Sequence, residues 1–294
     1  MFRGRFAPSP TGPLHFGSLI TAVASFLEAK NQGGDWLVRM EDLDTPRIQP
    51  GVADLILYTL DAFGFAWQGE VIYQSHRTDL YEAAMQHLDI YPCSCSRREI
   101  ADSAVHRIDG YIYPKTCLFH VPKTNMSTAW RVKTSDFNVQ FIDAIQGNIC
   151  QNVSRDIGDF VIKRADGIFA YQLAVVVDDF AQSISHIVRG ADLLDSTPRQ
   201  IFLQKKLGYP TPRYAHVPIA TNVAREKLSK QTLAEPLSVA NANQQLFRAL
   251  LFLGQNPPVE LRNSPLSDVW QWAFKHWSLK KIASQRAIIF NQLK

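Results

Sequence analysis

Apolar and polar positions change period several times along this chain, and each change marks an element. Three prolines and two glycines between Arg5 and Ser18 forbid a helix there, so residues 5–18 predict a strand, a turn and a helix start. Residues 18–32 then place apolar side chains at helical spacing, and Gly33–Gly34 ends the pattern. The run DWLVRM, residues 35–40, predicts a buried strand. Residues 50–64 and 78–88 predict amphipathic helices, the second with Thr78 or Asp79 as its cap. Helix and strand periods alternating this way predict parallel α/β units. The rhythm then breaks. Residues 128–149 alternate apolar and polar, as strands of a small antiparallel piece do. Residues 159–164 and 168–177, either side of Asp166–Gly167, predict a hairpin followed by a long apolar stretch. Thr197–Pro198 opens a helix over 198–207, and 213–220 reads as a short strand. Residues 237–294 carry helical patterns at 238–253, 266–276 and 281–293.

Composition adds bounds. A chain of 294 residues, 46% apolar and 20% charged, buries a sizeable core in one large or two to three small domains. A net charge of +4 permits nucleic-acid binding without arguing for it. No apolar run reaches the roughly 20 residues that span a bilayer, and the N-terminus does not resemble a signal peptide, so no membrane partner and a cytoplasmic location are expected. Four cysteines in a chain of this length fit reduced thiols or a metal site better than a disulfide framework.

Candidate chemistry sits where the periods change. A turn opening a helix directs backbone N–H groups and a partial positive charge outward, which suits phosphate, and His15 lies at that turn. Arg5, just before it, can hold a carboxylate bidentately. The pattern is neither the dinucleotide glycine fingerprint nor a P-loop, and by itself it also fits an ordinary strand–helix corner. Glu41, Asp42 and Asp44 follow a strand's C-terminal end, where open α/β sheets bind ligands; a solvated acidic turn has the same composition. Cys93, Cys95 and Cys117, with one more donor, can make a closed tetrahedral metal site. His106, His120, Tyr111 and Tyr113 are all near enough in sequence, and imidazole is normally the better donor. Cys150 reads as structural. Arg225–Gln231, REKLSKQ, is a polar loop carrying Lys227 and Lys230. Trp270, Trp272 and Trp277 read as core, while Lys275, Lys280, Lys281 and Arg286 could rest on an RNA backbone.

Several of these stretches resemble one family. PSPTGPLHFGS, residues 8–18, is similar to the first signature of class I aminoacyl-tRNA synthetases in the form carried by the glutamyl enzymes. KLSKQ, in the right order behind it, resembles their second signature, and residues 175–200 resemble the same group throughout. Ser18 in place of the usual histidine, and EDLDTPR after the second strand, are similar to the short glutamyl-Q paralogues. The resemblance covers roughly residues 3–235.

That resemblance implies an α/β fold: a class I synthetase, Rossmann-like parallel sheet with a zinc-bearing insertion and a C-terminal helical region. The implied domains are a discontinuous nucleotide-binding catalytic domain (1–81 and 184–236), an insertion (82–183) and a helical stem-contact-like domain (237–294), with no anticodon-binding domain. It implies ATP contacts from Pro8, His15, Gly17, Ser18, Lys227, Ser229 and Lys230, with His15 and Lys230 catalytic. It implies glutamate contacts from Arg5, Phe6, Ala7, Pro8, Ser9, Glu41, Tyr171 and Arg189, with Glu41 meeting the ammonium. Tyr113 joins Cys93, Cys95 and Cys117 around one structural Zn²⁺, with His120 the alternative, and Mg²⁺ accompanies ATP. The expected substrates are ATP, L-glutamate and queuosine-bearing tRNA(Asp), handled by a monomer. A truncated glutamyl enzyme charging the 3′ end, and a non-catalytic module that kept the fold, are the alternatives.

Overall fold

The computed structural model describes residues 2–103, 105–107, 110–120, 122–123, 126–225 and 235–290. The first unit is β1 (Arg3–Phe6), α1 (Phe16–Asn31) and β2 (Asp35–Met40), with β2 parallel to β1. Leu19, Ile20, Val23, Phe26 and Leu27 of α1 are buried against this sheet. The expected helix starts two residues early, at Phe16, because His15 is extended (φ −127°, ψ 176°) and its carbonyl takes the N–H of Leu19. Then come α2 (Val52–Ala62), β3 (Ile72–Tyr73) parallel to β2, and α3 (Thr78–Met85). A 3₁₀ turn, Gln74–Arg77, leads straight into α3, so Arg77 holds the cap position and neither Thr78 nor Asp79 caps it.

The middle of the chain comprises β4 (Ile90–Cys93), α4 (Arg97–Ser103), β5 (Val105–Arg107), β6 (Gly110–Ile112), α5 (Thr116–Phe119), β7 (Ala129–Val132), β8 (Asn138–Asp143), β9 (Gly147–Asn152) and β10 (Phe160–Lys163). The alternating segment is antiparallel as expected but divides between two sheets. β7 lies between β10 and β4, whereas the β8–β9 hairpin joins the next sheet. The apolar stretch after β10 is helix α6 (Tyr171–Ala181), followed by β11 (His186–Gly190), α7 (Thr197–Leu207), β12 (Arg213–Val217) and β13 (Ile219–Thr221). Pro218 divides the single strand expected over 213–220. β11 and β12 are parallel, β12 meets β8 at Tyr214 and Asp143, and β11 lies against β1, where the N–H of Ser185 donates to the Arg3 carbonyl at 3.0 Å.

The last region holds α8 (Ala242–Phe252), α9 (Leu266–His276) and β14 (Ala287–Ile289). Of the helix expected over 281–293, the described residues 281–290 form no α-helix. Ala287, Ile288 and Ile289 instead pair parallel with Ile219, Ala220 and Thr221, an environment that suits β-branched residues better than an isolated helical turn. Trp270 and Trp277 are buried in the core shared by α1, α8 and α9, and Trp272 stacks on His276. Cys150 is exposed on β9 and carries no core role. Among the described residues no helix is long and apolar enough to cross a membrane.

Candidate active site

A cavity of about 590 Å³ opens at the C-terminal ends of β1, β2 and β11. Parallel sheets concentrate ligands there because strand ends and helix starts leave polar backbone unpaired. One wall is the first turn of α1. No side chain caps that helix, so its leading N–H groups remain available, and Gly17 and Ser18 both line the cavity with His15. Arg5, Phe6, Ala7, Pro8 and Ser9 form the neighbouring wall, and Glu41, Tyr171 and Arg189 complete it. The Glu41 turn is tied to the proline-rich corner by the Glu41 N–H, which donates to the Pro8 carbonyl at 2.9 Å.

The three carboxylates after β2 have separate fates. Asp42 accepts from the Ser75 N–H and hydroxyl, and Asp44 pairs with Arg47 and Arg164. Glu41 alone of the three lines the cavity, 3.4 Å from Nη2 of Arg39. Burial raises its carboxyl pKa, while Arg39 and Arg5 pull it back.

Beneath the cavity lies a buried charge network. Asp179 accepts from Nε and Nη2 of Arg5 at 3.1 and 3.2 Å and from Nη2 of Arg39 at 2.9 Å. Both N–H groups of Nη1 on Arg5 lie outside that pair. Asp178 accepts from Gln74, Arg77 and Tyr81 at 2.7, 2.6 and 2.8 Å. Burial would raise the Asp179 carboxyl, but Arg5 and Arg39 outweigh it and hold the pKa below the usual range. Arg189 is also buried; it donates Nη1 to the Tyr171 hydroxyl at 3.3 Å, Nη2 to Thr197 at 2.8 Å and Nε to Nε2 of His216 at 3.0 Å.

Every residue expected to contact ATP or glutamate, among those described, lines this one cavity. Lys227, Ser229 and Lys230 lie outside the described residues. The chain on either side of them does not: Pro218, Ile219 and Ala220 line the cavity, and beyond the lysines the Leu237 N–H donates to the Leu14 carbonyl at 2.9 Å. Thr11, Thr21, Asp192 and Leu193 also line it, and sequence reading assigned them no role. Asp143, Asp179, Thr197 and His216 were missed as well. One signal was present, since adjacent aspartates in the apolar run of α6 require buried partners.

A second cluster lies 
at the end of β4. The sulfurs of Cys93, Cys95 and Cys117 lie within 4.8 Å of one another, and the Tyr113 hydroxyl is 3.3 Å from Cys93 and 3.5 Å from Cys95. Arg131 stacks its guanidinium 3.7 Å over the Tyr113 ring and fixes it. Burial would raise the Cys117 thiol, yet bonds from Tyr113, the Ser94 backbone and the other two cysteines bring it down to about 7, which eases thiolate formation. Burial pushes Cys95 up to about 11. Tetrahedral ligands at about 2.3 Å from a metal lie about 3.8 Å apart, so this donor set fits such an ion. His120 is exposed and is not part of the cluster.

A helix start suited to phosphate, beside a wall that carries arginines and a carboxylate at the ends of parallel strands, is the arrangement of a class I aminoacyl-tRNA synthetase catalytic domain. Residues 1–247 match the family described as "tRNA synthetases class I (E and Q), catalytic domain". The chain belongs to that family and, within it, to the group of the glutamyl-Q tRNA(Asp) synthetases. The protein of that name from Dechloromonas aromatica is 56% identical over 294 residues, covering 98% of each chain. The one from Chromobacterium violaceum is 53% identical, covering 96% of this chain and 95% of its own. In fold, the glutamate-tRNA synthetase of Elizabethkingia anophelis superposes with a TM-score of 0.81 at 24% identity, over 99% of this chain and 68% of that one.

Proposed function

We propose that this cavity condenses L-glutamate with ATP to glutamyl-adenylate and transfers the glutamyl group to the queuosine base in the anticodon of tRNA(Asp). The observation that carries the reading is that one cavity is lined both by the uncapped start of α1 and by Arg5, Glu41, Tyr171 and Arg189. The first feature suits phosphates; the second suits an amino acid with two carboxylates. The names borne by the relatives supply the acceptor.

In the first step a glutamate carboxylate oxygen attacks the α-phosphorus, the bond to the bridging oxygen breaks, and pyrophosphate leaves. Catalysis here is positioning and charge neutralisation. Gly17 and Ser18 offer backbone N–H groups and His15 an imidazole to the phosphates, and Lys227, Ser229 and Lys230 meet the triphosphate from the second signature. Mg²⁺ bound with ATP offsets phosphate charge. Glu41 accepts from the substrate ammonium, and Arg5 and Arg189, with Tyr171, hold the carboxylates. In the second step a queuosine hydroxyl attacks the acyl carbon and AMP leaves. Cys93, Cys95, Cys117 and Tyr113 would hold one structural zinc, which would fix the segment after β4. We assign residues 1–81 and 184–236 to the catalytic domain, 82–183 to the insertion and 237–294 to the helical domain.

The test is transfer of labelled glutamate. Label that needs queuosine and survives removal of the terminal adenosine supports the reading. Label lost with the 3′ end rejects it.

A further inference from the structure

Arg189 differs from the other arginines under the cavity. Arg5 and Arg39 share Asp179, whereas every partner of Arg189 among the described residues is neutral. It is nevertheless 3% exposed, and a buried guanidinium without a counter-ion is costly. What holds it is a chain of hydrogen bonds across three neighbouring strands. His216 faces Arg189 in the β11–β12 register, and Nε2 of His216 accepts from Nε of Arg189 at 3.0 Å. Nδ1 of His216 donates to Oδ2 of Asp143 on β8 at 2.6 Å. Oδ1 of Asp143 is held by the N–H groups of Ile145, Gln146 and His216 at 3.0, 2.9 and 3.1 Å.

The proton positions follow. Arginine Nε always carries hydrogen, so Nε2 of His216 must be bare, and the Asp143 carboxylate keeps the imidazole proton on Nδ1. Burial agrees: it lowers the His216 pKa to about 4 against the pull of Asp143, leaving a neutral ring at physiological pH.

We infer that Asp143 and His216 are positioning residues for amino-acid selection: they aim the Arg189 guanidinium at the cavity while leaving its charge unneutralised, so that the side-chain carboxylate of glutamate, and not the amide of glutamine, completes it. The inference rests on the reading of Arg189 as a glutamate contact.

Asp143→Asn is the sharpest probe. With its oxygen kept on the three backbone N–H groups, the new amide turns NH₂ toward Nδ1 and forces the ring proton onto Nε2, donor against donor at Arg189. His216→Phe removes the acceptor but keeps a ring beside Tyr214. ATP–pyrophosphate exchange is measured for both variants, the parent and Arg189→Ala. The expected result for Asp143→Asn is a glutamate KM raised on the order of 10- to 100-fold, an ATP KM within about twofold, and a glutamate-over-glutamine preference reduced about tenfold or more. An unchanged preference, or a loss in kcat alone, overturns the inference. If Arg189→Ala raises the glutamate KM while the Asp143 and His216 variants do not, the relay is wrong and the function stands; if Arg189→Ala leaves that KM unchanged, the role of Arg189 falls and the inference with it. Should the variants not fold, ¹⁵N-histidine NMR of the parent protein decides. A neutral ring at pH 7 protonated on Nδ1 supports the relay, and a proton on Nε2 overturns it.

Discussion

At the scale of single residues, the site's behaviour follows from burial set against nearby charge. Burial raises the Glu41 carboxyl, so it takes up a proton at a higher pH than an exposed glutamate. Its proposed partner is an ammonium, which binds the ionised form. The glutamate KM should therefore climb as pH falls through that raised pKa, and Glu41→Gln should raise KM at every pH and abolish the climb; a flat KM profile for the parent would contradict the assignment. His216 gives a stability signature. Its folded pKa of about 4 lies below the ordinary 6.5, so the unfolded chain binds the proton more readily. The stabilising contribution is full above pH 6.5 and is lost as pH falls toward 4, by roughly 3 kcal/mol in total. Urea denaturation at pH 7 and pH 5 should show this fall, and His216→Phe should flatten it.

The motif residues of the cavity were legible because they lie in short contiguous runs. Their supports were not. Arg5 and Asp179 are 174 positions apart, and Asp143 and His216 are 73 apart. Nothing local in the sequence pairs them; only tertiary packing does.

Among elements, those whose period matched their burial were read correctly and those set by a distant partner were not. β2 and α2 follow their own patterns. Residues 287–289 have an apolar run short enough to suit either state, and pairing with β13 decides it. That pairing matters for the site. β13 lines the cavity through Ile219 and Ala220, and Phe290, just after β14, stacks 4.1 Å from Phe16 at the start of α1. Phe290→Ala should cost about 1–3 kcal/mol in urea unfolding, since the ring is partly buried. It should also raise the ATP KM more than the glutamate KM, because it lies on the phosphate side; the reverse order would detach β14 from ATP binding.

For the molecule as a whole, the sequence conveyed a parallel α/β fold with a change of character near residue 91. It did not convey that the β8–β9 hairpin of the alternating segment would join the strand that carries His216. The proposed metal sits apart from that junction, at the end of β4. Its small core contains Tyr91, Cys93 and Tyr113, so little apolar burial supports it. Chelation should thus increase proteolysis within residues 93–123 and lower the melting temperature, yet leave glutamate-dependent pyrophosphate exchange within about twofold. Loss of exchange in step with the metal would give the ion a part in activation.

Asp179 grips Arg5 through two nitrogens and Arg39 through a third contact, so the Arg5 side chain is not free to advance on a smaller guest. Aspartate is one methylene shorter than glutamate. Anchored at Glu41, it leaves a gap at the arginines; anchored at the arginines, it leaves one at Glu41. On the proposed glutamate contacts, the stiffness of the wall should by itself reject the shorter acid, as a fixed gauge of length that needs no repulsive group.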